Sequence, residues 1–403
     1  MTSKKVKYAK NNIKYMWGVI FLALTVSYIS YLQMTSHFIE FWPEGVSDIT
    51  GFYSIRFSDG TDRWVYSTQI IPGRNGVVQP VEYPVIIGLI IWLTKLITPV
   101  TELARNQYFL INAALIAVFF ATMANMCANL IGKRLTKYLI LSPAIFFSLY
   151  LNWDLIVMVP LIYSIYAFEK SKFDASAIGL AIAISAKFFP IVLLPIIFII
   201  FIKKNQNKLL IRFLSICSIS WITINLPFII FFREGWSYFY VFSYKRGLGE
   251  GSIYSLISIL GYEKDFSLLY ITLNLIIFLA FLVYLLRSHE IITLITGSFW
   301  AVLVFTFFGK QYSMQYILWL TPLVLLLIST LKSNKQKIIL KYYLLWQFSE
   351  ALFNYAYFSN MLGEFSPTMY AVIGLFRYLI LILFSLKLFR STNPHWRFSN
   401  LIN

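Results

Sequence analysis

An all-α polytopic membrane protein is the fold class that this 403-residue chain predicts, on three observations. Hydrophobic residues make up 59% of it and only 13% are charged, against roughly 25% in an ordinary soluble domain. Its mean hydropathy is +0.71. Continuous apolar runs, long enough to cross a hydrocarbon core of about 30 Å, recur throughout, where a β-barrel would show short alternating segments.

The net charge of +17 does not point to nucleic acid, because most Lys and Arg flank apolar runs and follow the positive-inside rule. Cys127 and Cys217 both lie in apolar stretches, as small core residues do, and form no CxxC pair. His37, His289 and His395 are scattered and no HExxH is present, so neither a metal site nor another cofactor is expected.

The chain begins with a basic, cytoplasmic segment, residues 1–14. The apolar run from Tyr15 to Met34 is too long for a signal-peptide core and no small-residue cleavage site follows it. It is therefore the first membrane helix, and it delivers residues 35–107 to the extracytoplasmic side. Within that loop "PVIIGLIIWLTKLITPV" is apolar but short, contains Lys95 and is bounded by Pro84 and Pro99. Charge parity decides its place. With 84–99 in the interface, "GKRLTK", "EKSK", "KKNQNK", Arg287, "KSNKQK", Arg390 and Arg397 all fall inside. The remaining helices are expected near 108–131, 138–151, 155–169, 175–187, 189–202, 210–232, 267–287, 290–308, 313–331, 338–358 and 368–389. That makes about twelve in one membrane domain spanning residues 1–403, with a second extracytoplasmic loop at 233–266 and no internal repeat.

This topology gathers polar residues at the outer helix ends. The first loop supplies Asp48, Tyr53, Glu82 and Tyr83, and "LNWDL" supplies Asn152 and Asp154. Lys187 stands between apolar runs, where an ionised amine needs a partner, water or an anion such as lipid phosphate. Asp154 either pairs with Lys187 or lines a polar cavity, and snorkelling to the headgroups is the plain alternative for the lysine. Lys245, Arg246 and Lys310 together suit a phosphate cradle, beside Tyr312 and Gln315. Asp48 is the candidate general base. A sugar-acceptor hydroxyl is a poor nucleophile, and a carboxylate within hydrogen-bond reach can take its proton. A phosphate leaving group departs without a second, acidic carboxyl, in keeping with the absence of a hydrolase-type acidic pair.

At these residues the chain resembles a known family. "SDITGFYSIRF", "VEYPVIIGLIIWL", "SPAIFFSLYLNWDLIVMVPLIY", "AISAKFFPIVLLPIIF", "FSYKRGLGEGSIYSL" and "GKQYSMQYILWLTPL" are similar, in order, to blocks of polyprenyl-phosphate-mannose-dependent mannosyltransferases of glycosyltransferase family 87 and their uncharacterised actinobacterial relatives. The resemblance covers residues 15–325 and implies the GT-C fold, with interfacial helices in its large first extracytoplasmic loop. It further implies a catalytic Asp in that loop, here Asp48, a polyprenyl-phosphate sugar donor, a glycolipid or polysaccharide acceptor and no required metal. Asp154, Lys187 and Lys310 fall in matching blocks, whereas the polar insert "DGTDRWVYSTQIIPGRNG" departs from the pattern. The alternative is a transporter or flippase of lipid-linked substrates, which calls for polar groups near mid-membrane and inverted repeats.

Overall fold

The computed structural model describes residues 13–35, 47–70, 77–262 and 267–392. Residues 1–12, His37, His395, Arg397 and the "PGRNG" stretch lie outside them. What is described is almost wholly helical, the exception in regular structure being one antiparallel pair, β1 (Gln69–Ile70) with β2 (Val77–Val78).

In chain order the first helices are α1 (Ile13–Thr35), α2 (Asp48–Arg56) and α3 (Val85–Leu96). Next come α4 (Ala104–Ile140), α5 (Pro143–Ser148), α6 (Asp154–Glu169) and α7 (Phe173–Ala186). A 3-10 turn at Phe189–Val192 leads into α8 (Leu193–Lys203), followed by α9 (Asn207–Phe231), α10 (Arg233–Lys245) and α11 (Ile253–Ile259). The last are α12 (Ser267–Arg287), α13 (Leu294–Phe307), α14 (Ile317–Ser329), α15 (Ser333–Met361) and α16 (Pro367–Thr392). Among the described residues α1, α4, α9, α12 and α16 are long and apolar enough to cross a membrane, and several shorter apolar helices pack among them. The chain is an all-α membrane protein.

One expected helix needs correction. Residues 138–151 are not a helix: 138–140 end α4, Pro143–Ser148 form the short α5, and a turn follows. Pro143 stops the longer helix because it cannot donate into it, while Ser142 caps the new one by accepting from the Ile145 amide at 3.2 Å. Helix α4 is itself broken at Gly132, whose φ of 77° a side chain would resist. The ambiguous 84–99 segment forms α3, whose 12 residues reach only about 18 Å. Its lysine is not exposed to lipid, since buried Lys95 pairs with Asp62 at 2.8 Å.

Small residues set the tightest packing. Helix α7 reads "FDASAIGLAIAISA", and its Ala and Ser positions let it sit close between α6 and α9. Ser164 of α6 donates to the Ser176 carbonyl of α7 at 2.8 Å, which satisfies a hydroxyl that burial would otherwise strand.

The two ends of the bundle differ chemically. At one end the basic loops meet: Arg134 donates to Gln336, Lys203 to the Ser288 carbonyl, Lys335 to the Ser391 carbonyl and Arg212 to Asp174. At the other end lie the C-terminal ends of α7 and α13 and the N-terminal ends of α6 and α14. That second end carries the site.

Candidate functional site

Helix α2 brings Asp48 to this end. Ser47 is its N-cap, accepting from the Ile49 amide at 3.2 Å and donating to the Tyr150 carbonyl at 2.6 Å. The Asp48 amide donates to the Leu151 carbonyl at 2.9 Å, so the N-terminus of α2 is stitched to the turn before α6. In that turn Asn152 accepts from the Asp154 amide at 2.9 Å, and Trp153 donates its indole N–H to Asn112 at 2.7 Å. Tyr83 packs edge-on against Phe52 and Trp153, and its hydroxyl donates to Asp48 Oδ2 at 3.4 Å.

The Asp48 carboxylate faces a cavity of about 570 Å³. Glu82, Tyr83, Asn152, Lys187, Arg246, Lys310 and Gln315 also line it, so eight of the twelve polar residues singled out in the sequence converge on one space. Asp48 is open to that space and enclosed by protein on its other sides. Burial therefore pushes its carboxyl above the ordinary range; Lys187, Arg246 and the Tyr83 hydroxyl oppose this, while Asp154 adds to it. Glu82 is raised in the same way, by burial first and then by Asp48, against Arg246, Arg56 and Lys187.

The cations are not equivalent. Lys187 is bonded to Asp154, a fully buried carboxylate at the start of α6. Its ammonium also stands 5.0 Å from the Trp319 ring centroid, 5.8 Å from that of Tyr83 and 6.0 Å from that of Tyr316. Lys310 donates to the carbonyls of Tyr244 at 3.0 Å and Arg246 at 2.7 Å, capping the C-terminus of α10 where partial negative charge collects. Burial and the neighbouring Arg246 lower its pKa. Arg246 itself, exposed to the cavity, has no hydrogen bond or ion pair to its guanidinium among the described residues, only the Phe242 ring 5.7 Å away. Of the cations lining the cavity it is the one with no side-chain donor committed among the described residues.

Four expected residues stand elsewhere. Tyr53 is buried against Tyr108 and Phe57 in the core. Lys245 is exposed and does not line the cavity. Asp154 lies behind Lys187 rather than on the wall, with its Oδ2 unbonded. Tyr312 is buried and donates to Glu350 at 2.6 Å. It belongs to a cluster in which Arg377 pairs with Glu350 at 3.4 Å and donates to the carbonyls of Gly251 at 2.6 Å and Tyr312 at 3.1 Å. Arg377 thereby clamps together the two loops that carry Arg246 and Lys310, aided by the Gly249 amide, which donates to the Lys310 carbonyl at 2.8 Å.

Sequence reasoning missed the rest of the wall. Trp319 stacks on Tyr316 at 3.8 Å and on Phe189 at 3.9 Å, giving a flat aromatic surface beside Lys187. Helix α12 contributes Tyr270, Asn274, Leu275 and Phe278, and α10 contributes Phe239 and Phe242, so the cavity has a charged floor and an apolar flank. Asn274 was findable, as a lone amide in the apolar run "YITLNLIIFLAF". With its geometry described, the chain was compared with known proteins: no family model, no curated protein and no solved structure matches it.

Proposed function

We propose that the chain is a membrane glycosyltransferase that moves a sugar, mannose on the resemblance, from a polyprenyl-phosphate donor to a glycolipid or polysaccharide acceptor. The reaction takes place at the extracytoplasmic face of the cell membrane. The observation that carries this reading is one cavity joining a carboxylate of raised pKa, an uncommitted guanidinium and an apolar flank. Those three suit an acceptor hydroxyl, a phosphate and a lipid chain respectively.

In the proposed step the acceptor oxygen attacks the anomeric carbon while its proton passes to Asp48. The bond from that carbon to the phosphate oxygen breaks, and the electron pair leaves on the lipid phosphate. Direct displacement of this kind inverts the anomeric centre. Arg246, with Lys187 beside it, would hold the phosphate as its negative charge grows, using the planar fork that suits such oxygens. Against a transporter stands the position of the cavity's charged groups, Asp48, Glu82, Lys187, Arg246 and Lys310, at helix ends or in loops.

The test is transfer from a panel of radiolabelled polyprenyl-phosphate sugars by membranes carrying native protein or Asp48→Asn. General-base loss should lower turnover by about 10²–10⁴-fold with donor binding kept. Lost donor affinity with turnover preserved would make Asp48 a binding residue and refute the assignment.

A further inference from the structure

At the opposite, basic end a second cavity of about 830 Å³ opens between α12, α13, α14 and α16. It is graded along its length. Ser288, Glu290, Lys332, Lys335 and Thr392 form the mouth, and Phe281, Leu285, Trp300, Val304 and Leu327 line the interior. On α13 the lining residues Thr296, Trp300 and Val304 are four apart, one face of a helix, so the cavity follows that helix for about 12 Å.

The charge at the mouth is mostly positive. Lys332 is exposed, and no protein group among the described residues engages its ammonium. Lys335 spends one donor on the Ser391 carbonyl at 2.9 Å and keeps the others. Just behind the rim, Lys203 donates to the Ser288 carbonyl and to that of Glu290 at 3.2 Å, adding a third cation. Glu290 is the acid among the residues lining the cavity. A soluble anion would leave the apolar interior unfilled, and an uncharged lipid would leave the lysines unmatched. An amphiphile with an anionic head matches both.

We infer that this cavity holds an anionic glycerophospholipid, its phosphate between Lys332 and Lys335 and part of one acyl chain along Trp300 and Val304. The site stands apart from the proposed transferase reaction and does not depend on it. Its place at the basic end agrees with the positive-inside rule, which turns that end toward the leaflet richer in anionic lipid.

The test is native mass spectrometry of the full chain released from nanodiscs of phosphatidylglycerol and phosphatidylcholine in equal amounts. Native protein should retain phosphatidylglycerol preferentially. The double variant Lys332→Gln/Lys335→Gln should lose that preference by about tenfold, since each lysine near an anionic head contributes substantially; Lys332→Arg/Lys335→Arg should keep it. Val304→Trp, filling the interior, should lower retention of both lipids. Equal retention by native protein, an unchanged preference in the glutamine variant, or an adduct with the mass of another copy of the chain would overturn the proposal. If Val304→Trp fails to fold, the lysine variants, altered only at the rim, decide the matter alone.

Discussion

Breaking the Lys187–Asp154 pair from either side should destabilise the protein, and removing both partners should restore most of the loss. From the sequence alone, Lys187→Met is expected to leave folding intact or improve it, because a costly charge disappears. The structure reverses that sign. Asp154 is fully buried and Lys187 is its ion-pair partner, so Lys187→Met strands a carboxylate away from water. Asp154→Asn strands an ammonium whose side chain is 16% exposed, with three aromatic rings to soften the loss. Removing one partner of a buried pair typically costs about 3–5 kcal/mol, whereas replacing both by apolar groups is often close to neutral. Lys187→Met should therefore fall in that range, Asp154→Asn at or below its lower end, and Lys187→Met/Asp154→Leu within about 1–2 kcal/mol of native. The assay is thermal unfolding in detergent, followed by a thiol-reactive dye on Cys127 and Cys217, both buried and unpaired. Single variants as stable as native, or a double variant no better than the worse single one, would refute the reasoning.

Three further outcomes follow from the geometry. Arg246→Gln should weaken donor binding by about ten- to a hundredfold, the worth of a charge-assisted hydrogen bond, with Arg246→Lys recovering part; titration with a polyprenyl-phosphate sugar measures it. Because Asp48 acts deprotonated in the proposed step and its pKa is raised, turnover should fall as pH drops, starting above the ordinary carboxylate range near ~4. For stability the sign is opposite: a carboxyl that holds its proton more tightly when folded stabilises at low pH and loses that contribution as pH rises, so Asp48→Asn at pH 7 should be no less stable than native. A pH–rate profile and a melting curve check the two parts. Cysteines at exposed Thr61 and Glu250 should react with an impermeant maleimide in intact cells, and one at exposed Ser333 only after permeabilisation; the reverse pattern would invert the topology.

How far the sequence could be read depended on the range of the forces involved. Long apolar helices such as α1, α9, α12 and α16 were legible because their length and hydropathy are local properties. So was the convergence of Asp48, Glu82, Lys187, Arg246, Lys310 and Gln315, since basic clusters assign every loop to an end. Individual roles were not legible. Whether a lysine holds a carboxylate, a helix C-terminus or nothing is decided by neighbours far along the chain, 33 residues away for Lys187 and 64 for the Arg246 carbonyl to which Lys310 donates. Tyr53 and Tyr312 were misplaced for the same reason: a tyrosine in a polar-looking loop can turn into the core, as these do. The Glu350–Arg377 clamp was invisible because it comes from α15 and α16, beyond the blocks that carry the family resemblance.

Helix α12 is the least buried of the five long apolar helices, and it walls both cavities: Tyr270, Asn274 and Phe278 at one end, Phe281, Tyr284 and Leu285 at the other. A tilt of this one rod would change the width of both chambers together. Occupants that favoured different tilts would be linked through it, each altering the other's affinity by the same factor although the two chambers share no residue. On the two proposals above, a lipid held at the basic end would then enter the energetics of donor binding at the other, with α12 as the shared wall.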